Sequence, residues 1–161
     1  AHEFSCDMDK VKEYLYNFRG ANRRYQILYD KSIKIIDDYA HHPTEITATI
    51  NAAKKIETGK ITVVFQPHRY SRTNFFLNEF AESLKLADEV YLLPIYSAEE
   101  ENIYNVSSEK LAELIGNNTR VYTEEEIADH VHNDNSDNNV YLFMGAGSIS
   151  RIANTIKDKL L

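Results

Sequence analysis

The chain has 161 residues, of which 43% are apolar and 27% are charged, and its net charge at pH 7 is −7. This length and composition predict one globular domain with a sizeable core, and they exclude a disordered or fibrous chain. The negative charge disfavours a broad nucleic-acid-binding face, although a small cluster of positive side chains could still bind a small anion.

Cys6 is the only cysteine, so the chain cannot form an internal disulfide, which fits a reducing compartment. The first ten residues carry several charges and no apolar core, so they do not resemble a signal peptide. The longest apolar run, residues 90–96, is too short to span a bilayer. We therefore expect a cytoplasmic protein that binds neither nucleic acid nor a membrane.

Predicted helices and strands alternate along the chain, because the apolar periodicity changes repeatedly between the two patterns. In chain order, the pattern first predicts a helix over residues 8–18 ended by Gly20, and then strands over 24–29 and 32–38 joined in a hairpin at Asp30 and Lys31. A helix over 43–56 closed by Gly59, a strand over 61–66, a helix through Phe76, Phe80 and Leu84 and a strand over 89–93 follow. The last part is predicted as a helix over 108–115, a strand around 120–122, a helix over 124–131, a polar surface loop over 133–139, a strand over 140–144 and a helix over 149–160. Thr123 and Glu126 fit a capping box for the helix that begins at residue 124.

Repeated β and then α segments predict an α/β fold. We expect a Rossmann-like, mostly parallel sheet with one antiparallel strand from the early hairpin and helices on both faces. Ligands of such folds bind beyond the carboxyl ends of the strands. The turns that follow the buried strands are therefore where a functional site is expected.

Two of these turns carry most of the polar chemistry. Residues 37–45 read Asp-Asp-Tyr-Ala-His-His-Pro-Thr-Glu, and residues 66–73 read Gln-Pro-His-Arg-Tyr-Ser-Arg-Thr. Arg69 and Arg72 could form a positive fork for a carboxylate or phosphate, because guanidinium groups bind such anions bidentately. A helix predicted to begin near Thr73 would add its N-terminal dipole and free N–H groups to the same site.

Several of these residues also have an ordinary structural interpretation. Asp38 could simply end a strand, His42 could pack against the helix that follows it, and Arg72 could be a solvated surface residue. A metal site is disfavoured, since His41 and His42 are adjacent and point apart, and no His-x-x-x-His spacing supports them. The density of polar and aromatic residues in both turns favours an anion-binding site.

Two familiar phosphate-binding motifs are incomplete. Gly59 and Lys60 are followed by isoleucine, and residue 54 is lysine, so the chain lacks a P-loop. Residues 145–147 read Gly-Ala-Gly and open like a dinucleotide fingerprint, but Ser150 occupies the third glycine position. A tight strand-to-helix turn is the favoured interpretation of residues 145–147.

The two turns closely resemble the signature of the UDP-N-acetylmuramate–L-alanine ligases of the Mur ligase family, with Ala40 in place of their usual glycine. Similarity extends through residues 18–24, 93–96 and 145–149, and so covers nearly the whole chain. A sister family, which attaches recycled murein tripeptide, also has alanine in the first turn but lacks the His-Arg-Tyr-Ser-Arg pattern of the second. This sister family stays open as an alternative.

The resemblance implies an ATP-dependent carboxylate–amine ligase that uses ATP and Mg²⁺. ATP would phosphorylate the carboxylate of UDP-N-acetylmuramate to an acyl phosphate and leave ADP, and the amine of L-alanine would then displace phosphate to form the amide. Residues 21–161 would be the C-terminal domain, and residues 1–20 a helix or joint from the central domain. The nucleotide-gripping P-loop would lie in the missing central domain, and the missing N-terminal domain would bind the UDP-sugar. The chain alone would then be inactive and would bind no cofactor strongly.

Residue roles follow from the same resemblance, position by position. His41, Arg69 and Arg72 would surround the alanine carboxylate, and Tyr39 and His68 would line the pocket. The chain would supply no catalytic residue and no metal ligand. Two alternatives from other classes are a free-standing nucleotide- or anion-binding module without catalysis and a metal-dependent hydrolase.

Two further positions complete the predicted site. The resemblance implies that Asp37 and Asp38 lie towards the nucleotide. In chemical terms, their carboxylates could accept hydrogen bonds from ribose hydroxyls or from an amine.

Overall fold

The computed structural model describes residues 7–17, 21–134, 136 and 138–161. Their secondary structure in chain order is α1 (Met8–Asn17), β1 (Gln26–Asp30), β2 (Lys34–Asp38), α2 (Pro43–Ile56), β3 (Ile61–Phe65), α3 (Tyr70–Phe75), α4 (Leu77–Leu84), β4 (Glu89–Leu92), α5 (Ser108–Ile115), β5 (Thr119–Val121), α6 (Glu124–His132), β6 (Val140–Met144) and α7 (Ile149–Leu160). The predicted order of helices and strands is confirmed.

The strands form one six-stranded sheet in the order β1-β2-β6-β3-β4-β5. β1 pairs antiparallel with β2, and the remaining neighbours pair in parallel. β6 comes late in the chain but lies between β2 and β3. The prediction of a mostly parallel sheet with one antiparallel strand is thus confirmed.

Each face of the sheet is covered by its own hydrophobic cluster. Helices α2, α4 and α5 pack on one face, and α6 and α7 pack on the other. Successive strand residues serve opposite faces: in β3, Val63 belongs to the first cluster and Val64 to the second. Both valines are fully buried, as expected for a parallel strand covered on two sides.

The early hairpin differs from its predicted bounds. Its first strand begins at Gln26 instead of residue 24, because Arg23 and Tyr25 have φ angles of 56° and 47°, in the left-handed region. The turn spans residues 31–33, where the N–H of Lys31 donates to the carbonyl of Ile33 at 3.1 Å. The hairpin is therefore shifted along the chain relative to the prediction.

The helix predicted through residues 76–84 is two helices. Phe76 separates α3 from α4, with a φ of −105° and a ψ of 21° that lie outside the helical region. The predicted start near Thr73 is wrong, since α3 begins at Tyr70. The preceding helix α2 ends at Ile56, before the predicted glycine.

Helix α1 has no buried residue, and its side chains Tyr14, Leu15 and Tyr16 are exposed. Gly20, which was predicted to end it, lies outside the described residues. No helix among the described residues is long and apolar enough to cross a membrane.

Candidate functional site

A cavity of about 690 Å³ opens at the carboxyl ends of the strands, where the turns after β2, β3, β4 and β6 meet. Its lining comprises Tyr39, His41, His68, Arg69, Ser71, Arg72, Asn74, Phe75, Phe76, Tyr104 and Ala146. All five residues predicted to bind an amino acid are among them. The two polar turns identified in the sequence therefore meet in one cleft.

The arginines supply the positive charge of this cavity. The Arg72 side chain has no hydrogen bond or ion pair within the described part of the chain, whereas Arg69 is 50% exposed and lies 3.4 Å from a Glu100 carboxylate oxygen. Burial lowers the pKa of His68, and the neighbouring Arg72 and Arg69 charges lower it further. His68 is therefore neutral at pH 7, and the cavity can receive an anion at its two guanidinium groups.

The loop that follows β4 holds His68 in place. The rings of His68 and Tyr96 stack with centroids 5.4 Å apart and planes inclined by 12°. Two backbone hydrogen bonds join the same segments: the N–H of Arg69 donates to the carbonyl of Tyr96 at 2.8 Å, and the N–H of Tyr96 donates to that of Pro67 at 2.9 Å. The second turn is thus attached to the β4–α5 loop by backbone and side chain together.

Arg69 lies at a strained point of the second turn. Its φ of 71° is in the left-handed region, and the residue precedes the first turn of α3. We predicted that free N–H groups of a helix near Thr73 would face the anion; the helix begins earlier, at Tyr70, and a role of its N–H groups in anion binding stays a prediction. The N–H of Ser71 donates to Glu100 at 3.0 Å, and the hydroxyl of the buried Thr73 donates to the carbonyl of Arg69 at 2.8 Å.

The first turn presents Tyr39 and His41 to the cavity. Their rings meet edge to face at 5.1 Å, and the guanidinium of Arg23 lies 4.7 Å from the centre of the Tyr39 ring. The N–H of His41 donates to Glu45 at 3.0 Å, and its ring Nδ1 lies 2.9 Å from the carbonyl of Tyr39. These contacts fix the orientation of the two aromatic side chains.

Asp37 and Asp38 are buried, with exposed fractions of 1% and 5%. The Asp38 carboxylate accepts the N–H groups of Tyr25 and Ala40, both at 2.8 Å. Asp37 lies 3.4 Å from the Nε of Arg23 and accepts the hydroxyl of Ser150. Both carboxylates therefore hold the protein's own turns, and their placement towards a nucleotide stays a prediction.

His42 is not among the residues that line the cavity. Its ring Nδ1 accepts the N–H of Thr44 at 3.3 Å as the cap of α2, and its ring meets Phe76 edge to face at 4.8 Å. The interpretation of His42 as a packing residue at the helix start is confirmed. Among the residues that the structure describes, no three histidine, cysteine or acidic side chains could hold a metal ion together.

The turn between β6 and α7 completes the cleft. Gln66 anchors it: its side-chain amide donates to the Ser148 hydroxyl at 3.0 Å and accepts the N–H of Ile149 at 3.1 Å. A Cβ at Gly147 would lie 2.5 Å from the Gln66 side-chain oxygen and 2.8 Å from the Tyr96 ring, so only glycine fits. The prediction of a tight strand-to-helix turn over residues 145–147 is confirmed.

Sequence reasoning did not find the contributions of Glu100 and Tyr104. Both lie in the irregular segment between β4 and α5, which has no periodicity to indicate which side chains face the cleft. Tyr96 lay inside the region of family similarity but was given no role. Its place within the similar region 93–96 was the available signal, since its contact with the glycine turn is visible only in the structure.

The fold and the cleft define a class: a Rossmann-like α/β domain with an arginine-lined cleft at the carboxyl edge of its sheet. Residues 23–147 match the family model described as "Mur ligase, glutamate ligase domain". The chain therefore belongs to the Mur ligase family, of which it contains this C-terminal domain.

Individual members of the family can also be compared with this chain. The chain is 44% identical to a UDP-N-acetylmuramate–L-alanine ligase of Fusobacterium nucleatum over 99% of its own length and 37% of that protein's. The solved structure of UDP-N-acetylmuramate–alanine ligase from Thermotoga maritima aligns with a TM-score of 0.75 at 32% identity, covering 98% of this chain and 34% of that one. A murein peptide ligase from Psychrobacter arcticus shares the fold, with a TM-score of 0.67 at 23% identity over 99% of this chain and 34% of that one.

Proposed function

We propose that this chain is the C-terminal domain of an ATP-dependent ligase that adds L-alanine to UDP-N-acetylmuramate in peptidoglycan synthesis. In this proposal the domain binds the amino acid and closes over the active centre. The observation that carries it is the common cavity formed by the five predicted binding residues. The 44% identity to an L-alanine ligase supports the choice of amino acid.

The chemistry of the cavity suits a small amino acid. Arg72 has no partner among the described residues, and Arg69 is the second guanidinium. Together they can hold one carboxylate by charge-assisted hydrogen bonds worth roughly 1.5–3 kcal/mol each. His41, with Tyr39 and the neutral His68, would form the rest of the binding surface. We assign no catalytic residue to this chain.

ATP and Mg²⁺ belong to other parts of the proposed enzyme. The sequence lacks a P-loop, and no group of described residues could hold a metal ion. In this proposal Asp37 and Asp38 lie on the nucleotide side of the cleft and hold its turns. Residues 1–20 would form the joint to the central domain. The central and N-terminal domains of the same polypeptide would be the partners of this domain. Dependence on ATP also makes the cytoplasm the proposed location.

Substitution of the free arginine tests the proposal directly. In the full-length ligase, we expect Arg72→Ala to raise the KM for L-alanine by roughly ten- to a hundredfold, which corresponds to one lost charge-assisted contact. The KM for UDP-N-acetylmuramate should stay within about a factor of two of the wild type, since other domains bind that substrate. Arg69→Ala should act in the same direction, and Arg120→Ala on the distant edge strand is the matched control. An unchanged alanine KM in both cavity variants would refute the proposal.

Separate assay of the chain and the full-length protein tests the division of labour. The 161-residue chain should form no UDP-N-acetylmuramoyl-L-alanine, whereas the full-length protein should form it. Turnover by the chain alone would show that it contains a nucleotide site of its own. An upstream reading frame that encodes a P-loop supports the ligase, and its absence would favour a free-standing anion-binding module.

Ala40 is the one feature that favours the murein-tripeptide ligase as an alternative. Its side chain is fully buried in the core beneath α2 and is absent from the cavity lining. The Ala40 side chain therefore does not contact an amine in the cavity directly. Comparison of L-alanine with murein tripeptide as the acceptor of the full-length enzyme distinguishes the two.

A further inference from the structure

The loop of residues 93–107 touches the second turn at more than one point. Tyr96 provides the stacked ring and the backbone bridge, and Glu100 provides a second attachment through its carboxylate. Tyr104 of the same loop lines the cavity. The loop is therefore part of the pocket wall, and Glu100 is its charged contact with the arginine turn.

Glu100 accepts hydrogen bonds from three groups. Its Oε2 accepts the N–H of Ser71 at 3.0 Å, and its Oε1 accepts the Ser71 hydroxyl at 2.8 Å and the Nη1 of Arg69 at 3.4 Å. Hydrogen bonds from the Ser71 backbone and hydroxyl hold the pKa of Glu100 below its usual range, so the group is ionised at pH 7. A fixed negative charge thus lies beside one of the two guanidinium groups.

Glu100 itself does not line the cavity. Its carboxylate would repel the carboxylate of an amino acid, and its position outside the lining keeps it from direct contact with the ligand. The guanidinium of Arg69 has five N–H donors, and its single bond to Glu100 leaves the others for a ligand. Glu100 can therefore orient Arg69 without blocking it.

We infer that Glu100 is a positioning residue of this pocket: it holds Arg69 and the Ser71 turn in the orientation that receives the carboxylate of the amino acid. Arg72, with no comparable partner among the described residues, is then the more adaptable of the two arginines. The inference rests on the proposed function, because it takes an amino-acid carboxylate as the ligand.

A double-mutant cycle in the full-length ligase tests this role. Glu100→Ala should raise the KM for L-alanine on the order of tenfold, since misplacement of a positioned group by about 1 Å can cost as much as roughly a hundredfold. The KM for UDP-N-acetylmuramate should not change. In an Arg69→Ala background the same substitution should have a clearly smaller effect, because part of its action passes through that guanidinium.

Glu100→Gln is the conservative variant and should recover part of the loss, since its amide oxygen can still accept the N–H of Ser71. Glu113→Ala, at an exposed position of α5, is the matched control. Urea unfolding of each variant checks that the loop remains folded, and if Glu100→Ala is unstable the glutamine variant carries the cycle.

The outcomes separate the two ideas. If Arg69→Ala raises the alanine KM but Glu100→Ala leaves it unchanged, or if the two effects simply multiply in the double variant, the positioning role is overturned while the proposed function stands. If neither Arg69→Ala nor Arg72→Ala changes the alanine KM, both are overturned.

Discussion

The carboxylate of Asp38 stabilises the first turn by binding backbone. Asp38 is the last residue of β2. Its carboxylate accepts the N–H groups of Tyr25, which precedes it in the chain, and of Ala40, which follows it. Tyr25 has a left-handed backbone conformation, and this hydrogen bond helps to hold it there. Asp38 has the chemistry of a ligand-binding acid, but here its carboxylate has a structural role in the turn that presents Tyr39 and His41.

Asp38→Asn should destabilise the domain by about 1–3 kcal/mol, because one N–H would then face the side-chain NH₂ group without an acceptor. Urea unfolding at pH 7, followed by circular dichroism, measures the change. Asp129→Asn is the matched control, since the Asp129 side chain is 73% exposed. Equal unfolding free energies for the two variants would contradict this account.

At the scale of single residues, the sequence identified some site residues and not others. The arginine fork could be predicted because two guanidinium groups close together in a polar turn have few structural uses. Glu100 could not, since it lies about 30 residues further along the chain, in a loop whose path depends on tertiary packing. The burial of Asp37 was also not predictable, because it depends on Arg23 and Ser150 from distant segments.

At the scale of elements, α6 shows how a local signal determines a helix start. The Thr123 hydroxyl accepts the N–H of Glu126 at 3.1 Å, and the Glu126 carboxylate accepts the N–H of Thr123 at 2.8 Å. This is the capping box that the sequence predicted. Glu124 in the first turn then accepts the hydroxyl of Ser148 at 2.9 Å and so connects the helix to the β6–α7 turn.

Thr123→Ala should lower the unfolding free energy by about 1 kcal/mol, the usual value of an N-cap. The matched control is Thr155→Ala, in the interior of α7, where the hydroxyl donates only to the carbonyl of the preceding turn. The two variants can be compared by urea unfolding under identical conditions. If Thr155→Ala lowered the unfolding free energy as much as Thr123→Ala does, the capping box would contribute no more than an ordinary helix-interior hydroxyl.

Other element boundaries escaped prediction for physical reasons. The break at Phe76 has no proline or glycine to mark it. Its ring packs against Phe75, Phe80 and His42, and the contact with His42, which is distant in sequence, is one that local patterns do not reveal. The early hairpin was misplaced because left-handed residues before β1 carry ordinary side chains and not glycine. Regular apolar spacing was enough for the strands and for most helices.

At the scale of the whole molecule, many carboxyl groups are stabilised in their charged form. The pKa is lowered for Glu45, Glu89, Glu100, Glu109, Glu126 and Asp134. Such groups stabilise the fold above their unfolded pKa, and this contribution is lost as the pH falls through the folded value. The domain should therefore lose stability progressively below about pH 4.5, where glutamates become protonated in the unfolded chain.

Asp134 provides the test of this acid dependence. Burial alone would raise its pKa, but hydrogen bonds from Tyr141, Asn139 and Ser136 outweigh burial and lower the pKa from its usual 3.8 to about 2. Its contribution should be complete above pH 3.8 and disappear between pH 3.8 and about 2. Asp134→Asn should therefore be less stable than the wild type at pH 7. The difference in unfolding free energy between the two proteins should decrease as the pH falls from 3.8 to about 2. Urea unfolding across pH 2–7 measures this, and a gap that is constant with pH would contradict it.

The order of the strands in the sheet could not be read from the chain. Periodicity identifies strands but does not say which pair with which, and the position of β6 between β2 and β3 depends on the crossover that α6 makes. The sequence was enough to predict the α/β fold class, the mostly parallel direction of the strands and the position of both signature turns at strand ends. The neighbours across the sheet were not.

That central position of β6 has a consequence for biosynthesis. β2 and β3 do not pair with each other, since each bonds to β6. A nascent chain that has not yet reached residue 140 therefore carries two open parallel edges lined by apolar side chains, which is a state prone to aggregation and to chaperone capture. Both signature turns leave the ribosome long before the strand that brings them together. The binding pocket is consequently a late product of translation, assembled only once the middle of the sheet has been filled.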